Sequence, residues 1–493
     1  MRRLVCFLFA VLSLSAAYAR QEAALFGGDF PPEEFAQRRS HLYEAIGPNA
    51  IALLQGAPSP AGYVRFRQTN EFYYLCGVET PHAYLLLDGS ERRAALYLPH
   101  RNEARERSEG KWLSAEDGEL VRRLSGVEAV YGLELLAEHL ARYVLRGVRV
   151  LYTPLQPAEG LATSRDIALR AQADRASDPW DGLPSREGRF LALLRERFPQ
   201  LEIRDLSPLL DELRLIKSPR ELELIRKATR LAMEAIAEAM RSTRPGQYEY
   251  ELEAVARFVF CRHGAQGDAY YALVASGANA WYPHYHAGTR RMRAGELVLM
   301  DYAPDVGYYM SDVTRIWPVS GRFSPEQREL YAFYLGCYRA ILRAIRPGKT
   351  AQEIKREAAS EMERLLQESR FSRAPHRRAA ERFVADYRAS AENPNSALGH
   401  GVGMATHDVG LYRGPLRPGM VFTIEPALRV PEDSLYIRLE DVIIITADGV
   451  EVVSEALPMD IEAIEELIQQ EGMLERYPRM EEHRLRAPAI RRR

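Results

Sequence analysis

Cysteine is scarce in this chain of 493 residues, which has four cysteines in all. Cys6 lies in the apolar N-terminal stretch, and Cys76, Cys261 and Cys337 are far apart and irregularly spaced. Zinc sites and disulfide frameworks both need cysteines in closely spaced patterns. The sequence shows neither pattern, so buried thiols are the expected state of Cys76 and Cys337.

The chain also has no large excess of charge of one sign. It contains 66 Lys and Arg and 68 Asp and Glu, which give a formal net charge of −2. Proteins dedicated to nucleic acid normally carry a strong basic excess, so nucleic acid is not an expected partner. The basic segment 476–493 is predicted to be a solvated C-terminal tail.

Long hydrophobic runs are absent too, because the N-terminal run is too short for a membrane span and no later segment reaches that length. Arg2 and Arg3, the apolar run and Ala17-Tyr18-Ala19 are typical of a secretory signal peptide. Residues 1–19 are therefore predicted to be cleaved, which gives a secreted or periplasmic protein with no integral membrane segment. An uncleaved anchor is the alternative.

Two domains are predicted from the apolar patterns that are present. Residues 32–205 alternate amphipathic helices with short apolar strands, which is typical of an α/β domain. Residues 213–470 are predicted to form a second, α+β domain, with the boundary near Leu206–Leu213.

The second domain contains an internal repeat. Ser218 and Ser324 each precede a proline and begin a predicted helix as its N-cap. Each helix ends before an Arg-Pro-Gly turn, at 244–246 and 346–348, and a second helix and a strand ending in an acid follow. Convergent turn chemistry is the alternative, but the shared order of features favours two halves related by a pseudo-twofold, with a site between them.

The first half of the repeat brings two acids together. Asp301 and Asp312 lie opposite each other if their hairpin turns between Val306 and Gly307. Directly opposed side chains lie on the same face of a sheet, with Cβ atoms roughly 4.5–5.5 Å apart.

The second half repeats this arrangement, because Glu425 and Glu440 lie opposite each other if their hairpin turns between Glu432 and Asp433. Four ionised carboxylates cannot share a partly buried pocket without cations. The two pairs together therefore predict a site for two divalent metal ions.

Histidines near these acids extend the predicted site. His400 lies between two glycines, where an imidazole can complete an oxygen-rich metal site, and His407 follows it. His284 and His286 precede the first acid strand. One of this second pair is expected to serve the substrate or proton transfer, and the other to be structural.

These residues resemble the signature of the metallopeptidases with a pita-bread fold. The resemblance rests on Asp301 and Asp312, on "GHGVG" around His400, on "TIEPAL" around Glu425 and on "RLED" around Glu440.

The first domain narrows the resemblance, since Phe66–Leu87 is similar to the hallmark of the aminopeptidase P N-terminal domain. Leu213–Ala228 resembles the entry to that family's catalytic domain. The chain thus resembles the Xaa-Pro aminopeptidase and prolidase family from about residue 33 to 465. The expected fold is an α+β pita-bread catalytic domain with an internal pseudo-twofold, preceded by an α/β aminopeptidase P-type domain.

The resemblance implies a dinuclear site, usually filled with manganese, whose ligands are Asp301, Asp312, His400, Glu425 and Glu440. Asp312 and Glu440 would bridge both ions. A hydroxide bridging the metals would attack the peptide carbonyl, and Glu425 would carry its proton.

Further catalytic residues are implied in the same way. His284 and His407 would contact the scissile carbonyl and the tetrahedral intermediate, and Arg438 would hold acids in place. The family also implies a homo-oligomer, a dimer or a tetramer.

The expected activity is release of an N-terminal residue from a peptide with proline second. Prolidase, which cleaves only the dipeptide, is the alternative enzyme. A peptide-binding protein without activity is the alternative from another class. A creatinase-like hydrolase is disfavoured because all five ligands are retained.

Three features depart from the family pattern. Ser396 stands where a histidine is frequent, Ala427 stands where a glycine is usual, and the segment 371–394 is longer than the typical connection. None of these removes a ligand. The change at Ser396 bears on substrate handling, the change at Ala427 is a mild one beside the metal, and the long segment is expected to form a rim over the cleft.

Overall fold

The computed structural model describes residues 28–410 and 414–478. The described chain forms two compact units, the first of residues up to Ile216 together with His407–Gly410, and the second of the others from Lys217 onward. The predicted signal peptide and residues 479–493 of the predicted tail lie outside the described residues. The domain limits 32–205 and 213–470 stay predictions.

The first unit is built around a mixed sheet. Its six strands are β1 (Ala50–Gln55), β2 (Tyr84–Asp88), β3 (Arg93–Leu98), β4 (Ala129–Gly132), β5 (Val150–Thr153) and β6 (Glu202–Asp205). Their order is β4-β3-β2-β1-β5-β6. The central strand β1 pairs antiparallel with β2 and parallel with β5. Ile51 and Leu53 on β1 are buried in an apolar core with Leu86 and Leu151.

Helices accompany the sheet, as an α/β domain requires. They are α1 (Pro32–Ile46), α2 (Asn70–Cys76), α3 (Glu103–Glu109), α4 (Gly118–Ser125), α5 (Leu136–Leu145), α6 (Arg165–Ser177), α7 (Arg186–Arg197) and α8 (Ser207–Leu215). Cys76 at the end of α2 is a buried thiol, as expected.

The second unit contains the predicted repeat. Its helices are α9 (Pro219–Ser242), α10 (Glu249–Arg262), α11 (Pro325–Ala344), α12 (Ala351–Glu368), α13 (Ala374–Ala391), α14 (Ile461–Ile468) and α15 (Met473–Arg476). Its strands are β7 (Gly267–Asp268), β8 (Leu273–Ser276), β9 (Leu297–Asp301), β10 (Pro304–Asp305), β11 (Thr314–Pro318), β12 (Val421–Ile424), β13 (Ala427–Val430), β14 (Leu435–Arg438), β15 (Asp441–Ile445) and β16 (Val450–Val452). Within the described residues, no helix combines the length and the apolar character needed to cross a membrane.

Both halves of the repeat begin as predicted. Ser218 and Glu221 form a capping box at the start of α9, and Ser324 and Gln327 form one at the start of α11. The first helix packs against the second in each half, α9 on α10 and α11 on α12. A three-stranded sheet follows each helix pair, β11-β9-β8 in the first half and β12-β15-β16 in the second. Helix α13 occupies the long 371–394 segment.

The turn predicted for the first hairpin is wrong by one position. Asp301 pairs with Thr314, not with Asp312, and Val306 bridges Tyr309. Gly307 and Tyr308 both have positive φ, at 59° and 72°, so they form the two-residue turn themselves. The predicted partner, Asp312, lies two residues before Thr314, so Asp301 and Asp312 still share one face.

The register predicted for the second hairpin is confirmed. Ile424 pairs with Asp441 and Ala427 pairs with Arg438. The same register runs through both pairs, so Glu425 lies opposite Glu440.

A buried ion pair connects the two hairpins. Arg315 on β11 donates to Asp441 on β15 with Nη2 and Oδ1 2.7 Å apart, and both side chains are fully buried. Tyr338 and Ser454 donate hydroxyl hydrogen bonds to the same carboxylate, each at 2.6 Å. Arg315 also donates to the backbone carbonyl of Glu440 at 3.0 Å. One guanidinium thus fixes the backbone next to a predicted metal ligand.

We expect Arg315→Met to lower the free energy of unfolding by about 3–5 kcal/mol, because Asp441 would be left buried without its cation. Urea unfolding followed by tryptophan fluorescence, to which Trp317 on the same strand contributes, measures this change. The control is Arg364→Met, whose ion pairs with Glu361 and Glu368 are exposed, and which we expect to cost less than about 1 kcal/mol. Equal losses of unfolding free energy in both variants would show that the buried ion pair contributes no more to stability than the exposed pairs.

Candidate metal centre

The strands of the second unit deliver four acids to one place. Asp301 ends β9 and Asp312 lies two residues before β11. Glu425 directly follows β12, and Glu440 lies between β14 and β15. A β-bridge between Thr314 and Glu440 joins the two hairpins, and the Thr314 hydroxyl donates to Glu440 Oε2 at 2.7 Å. The two halves of the repeat therefore meet at their acids.

His400 faces three of these acids. Its Nε2 lies 3.5 Å from Asp312 Oδ2, 3.4 Å from Glu425 Oε1 and 3.7 Å from Glu440 Oε1. Its Nδ1 lies 3.1 Å from the backbone carbonyl oxygen of Gly401. A carbonyl oxygen can only accept, so the Nδ1 proton is used there and the Nε2 lone pair is left toward the acids.

A glycine lets the backbone approach closely beside His400. A Cβ atom on Gly399 would lie 2.0 Å from the backbone oxygen of Thr423 on β12. Any larger residue would push His400 away from β12, where Thr423 donates its backbone N–H to the His400 carbonyl at 2.9 Å. Gly399 thus positions the imidazole.

Arg438 is the guanidinium that meets these carboxylates. It forms an ion pair with Asp301, and its Nη1 lies 3.5 Å from Glu425 Oε2. Its Nη2 lies 3.9 Å from Glu440 Oε2. Its side chain is 6% exposed, so its charge acts with little solvent screening.

Tyr270 is part of the centre and was missed in the sequence. Its hydroxyl lies 2.6 Å from Asp301 Oδ1 and 2.7 Å from Asp312 Oδ1. Burial raises the pKa of Tyr270 well above its usual range, and the two carboxylates raise it further. It therefore stays a neutral donor. The stretch "DAYYAL" contains two adjacent tyrosines and gives no signal that selects one of them.

The positive charge of Arg438 does not fully offset the repulsion between the crowded carboxylates. Burial raises the pKa of Asp312 well above its usual range, and the neighbouring carboxylate of Glu440 raises it further. Burial also raises the pKa of Glu440, with Glu425 adding to the effect. Among the described residues, none donates a hydrogen bond to the buried Glu440 Oε1.

This donor set fits a divalent metal ion. One oxygen of Asp312, one oxygen of Glu440 and one nitrogen of His400 all lie within 4.8 Å of one another. Carboxylate oxygens with one imidazole suit hard or borderline divalent ions, which also remove the repulsion between the acids. A cation here would give Glu440 Oε1 the partner that it lacks.

The other two predicted histidines, His284 and His407, have hydrogen bonds of their own. His284 lies in the exposed loop between Trp281 and β9, where its carbonyl accepts a hydrogen bond from His286 Nδ1 at 3.0 Å. His407 belongs to the first unit. Its Nδ1 lies 2.8 Å from Asp166 Oδ2 on α6, and its backbone N–H donates to Ser164 Oγ at 3.1 Å.

A buried cluster of charges in the first unit holds the segment His407–Gly410. Arg214 Nη2 lies 2.7 Å from Glu159 Oε2 and 2.6 Å from Asp408 Oδ1, with all three side chains almost fully buried. Arg165 lies 3.2 Å from Glu71 and 3.1 Å from Glu159. No motif in the sequence marks this network, because its members are far apart along the chain.

Comparisons with known proteins agree with this architecture. The chain matches the metallopeptidase family M24 over residues 223–447 and the aminopeptidase P N-terminal domain over residues 35–152. It is 30% identical to the Xaa-Pro aminopeptidase of Escherichia coli over 88% of this chain and 97% of that protein. The Xaa-Pro aminopeptidase of Haemophilus influenzae is 29% identical over 89% of this chain and 97% of that protein.

A solved structure shows the same fold. Zinc-substituted E. coli aminopeptidase P in complex with product superposes with a TM-score of 0.71 and 29% identity, over 89% of this chain and 98% of that chain. The fold and the acid–histidine cluster are those of a metallopeptidase with a pita-bread catalytic domain. The chain belongs to the aminopeptidase P family of these enzymes. The predicted family, enzyme class and fold class are thereby confirmed.

Without metal, we expect Asp312→Asn to raise the free energy of unfolding by roughly 1–3 kcal/mol, because one of the repelling charges is removed. A divalent ion at a hundred times its Kd should add about 2.7 kcal/mol to the wild type and much less to the variant. Urea unfolding of the chelated and metal-loaded proteins measures both changes. The control is Asp448→Asn in an exposed turn. If the metal-free Asp312→Asn protein were less stable than wild type, repulsion between the acids would not be what destabilises the metal-free fold.

The buried cluster of the first unit predicts a dependence of stability on pH. Burial raises the pKa of Glu71 from 4.5 to about 7, and Glu159 raises it as well. Between these two values the folded protein keeps a proton that the unfolded chain has released, so the free energy of unfolding falls as pH rises through this window. The slope from one such group is at most about 1.4 kcal/mol per pH unit.

Glu71→Gln should flatten this fall and make the protein more stable than wild type near pH 8. Urea unfolding at about pH 5 and pH 8 provides the comparison. The control is Glu91→Gln, an exposed side chain in the same unit. An unchanged pH dependence in Glu71→Gln would show that Glu71 ionises normally in the folded state.

Proposed function

We propose that this chain is a metal-dependent aminopeptidase that hydrolyses the bond between an N-terminal residue and a following proline. The observation that carries the proposal is the cluster of Asp312, His400 and Glu440, whose ligand atoms lie within 4.8 Å of one another. The names of the relatives in E. coli and H. influenzae support the choice of substrate, because the alignments span 97% of each protein.

Two divalent ions, manganese in this proposal, would be held by Asp301, Asp312, His400, Glu425 and Glu440. Asp312 and Glu440 would each contribute to both ions. When bound, the two ions would lower the pKa of a water that bridges them, so that a hydroxide is available to attack near neutral pH.

Glu425 is the acid best suited to move the proton of that water. Its side chain is 28% exposed, whereas the side chains of Asp312 and Glu440 are 6% and 1% exposed. A proton carrier must reach both the attacking water and the leaving amine, and a partly exposed carboxylate is better placed for this than a deeply buried one. The Thr423 hydroxyl and Arg438, each at 3.5 Å, keep Glu425 turned toward the cluster.

Three further residues are proposed to serve the reaction. His284 and His407 would donate hydrogen bonds to the scissile carbonyl and to the oxyanion that forms from it. Arg438 would orient Asp301 and Glu425. The signal peptide, the secreted or periplasmic location and a homo-oligomeric state remain proposals from the sequence.

The activity is tested on the full chain with the tripeptide Ala-Pro-Ala, after chelation and after addition of Mn²⁺. We expect chelation to abolish release of alanine and Mn²⁺ to restore it. Asp312→Ala should lower kcat/KM by more than about 100-fold, because a shared ligand is lost. The matched control, Asp448→Ala, removes an exposed carboxylate and should retain the wild-type rate.

The same assay separates the alternatives. Cleavage of Ala-Pro but not of Ala-Pro-Ala would make the protein a prolidase. Absence of cleavage by protein with a measured full complement of metal would support a binding protein on this fold.

A further inference from the structure

A cavity of about 240 Å³ lies beside Glu425 in the second unit. Helices α12 and α13 form one side of it, and the end of β12 and the start of β13 form the other. Its lining includes Lys355, Phe383, Tyr387, Ser390, Leu398 and Ala427. The cavity therefore adjoins the proposed proton carrier, on the side of the helix that fills the long 371–394 segment.

Lys355 gives this cavity a buried positive charge. The residue is 5% exposed, and its Nζ donates a hydrogen bond to the Ser396 hydroxyl oxygen. Within the described residues, no carboxylate forms an ion pair with it. Burial lowers the pKa of the Lys355 ammonium to about 8, so it is charged near neutral pH. An ammonium has three donors, and a buried charge without a counter-ion is costly unless a ligand supplies one.

The position of Lys355 is fixed by its surroundings. Gln352, one turn earlier on α12, donates from Nε2 to the carbonyl oxygens of Asn393 and Ser396, both at 3.1 Å. The loop that accepts from Lys355 is therefore held by the helix that carries Lys355. Asp386, the charged residue that α13 contributes to the lining, is exposed to solvent.

We propose that Lys355 forms a carboxylate-binding subsite beside Glu425, which takes a carboxylate of the peptide substrate. The inference rests on the proposed peptidase function and assigns a specificity-determining residue to it. The carboxylate has two possible sources, the C-terminus of a short peptide or an acidic side chain. Both present two oxygens to the free donors of the ammonium, and the cation offsets their repulsion from Glu425.

The test compares kcat/KM for peptide pairs that differ only in the carboxylate. Ala-Pro-Ala against its C-terminal amide reports a terminal carboxylate. Glu-Pro-Ala-NH₂ against Gln-Pro-Ala-NH₂, and Ala-Pro-Glu-NH₂ against Ala-Pro-Gln-NH₂, report acidic side chains. We expect wild type to prefer the carboxylate by about tenfold in at least one pair.

Lys355→Met should reduce that preference to within about twofold, while kcat/KM for the neutral peptides stays near the wild-type value. Lys355→Arg keeps the charge and should keep part of the preference. Lys349→Met removes a partly exposed lysine that pairs with Glu357 and should change nothing. A wild-type ratio near one in all three pairs, or a ratio unchanged by Lys355→Met, would overturn the subsite.

Binding of the same pairs to the chelated protein, measured by calorimetry, separates this inference from the proposed function. Hydrolysis of the neutral peptides with no effect of Lys355 would leave the peptidase standing and refute the subsite. Absence of hydrolysis would refute the peptidase. The ratio of Kd values within each pair would then decide the subsite, and a ratio that does not depend on Lys355 would overturn it.

Discussion

Repulsion between buried carboxylates is the constraint on which the second unit depends. Asp301, Asp312 and Glu440 are almost fully buried next to one another, and Glu425 completes the group. One guanidinium offsets only part of this repulsion, so the fold itself must hold the acids together when no cation is bound. Two hairpins, the bridge between Thr314 and Glu440 and the buried Arg315 ion pair provide that rigidity. The rigid fold therefore keeps the site assembled although the repulsion between its acids is unfavourable.

The parts of the structure that follow from local rules were predictable. A serine before proline marks the start of α9 and of α11, because the capping box satisfies backbone donors at that position. The register of the second hairpin followed from the turn residues Glu432 and Asp433. The first hairpin was misplaced because Tyr308 adopts a positive φ, which sequence rules assign to glycine or asparagine. The error left the acids on one face, since the pairing moved by two residues.

The parts that depend on contacts between distant residues were not predictable. Tyr270 lies in the connection between β7 and β8 and donates its hydroxyl hydrogen bond to Asp301 and Asp312. No residue type or spacing in the sequence marks it. Asp166 reaches His407 across 241 positions of the chain. Polar residues of this kind are abundant on any surface, and only the fold decides which of them is brought to a functional side chain.

The two halves of the repeat share the same order of helices and strands but contribute differently to the site. The first half supplies Asp301 and Asp312, and its residues around them are fully packed. The second half supplies His400, Glu425 and Glu440, and the extra helix α13 leaves a cavity next to Glu425. A carboxylate entering that cavity would be repelled by the acids unless a cation met it, and Lys355 lies on α12 at its lining. The departure from the family at Ser396 fits this arrangement, because a small hydroxyl accepts from the ammonium where an imidazole would compete for its space. In the proposed enzyme, the asymmetry of the repeat would place substrate choice in the second half, next to metal ligands that both halves supply.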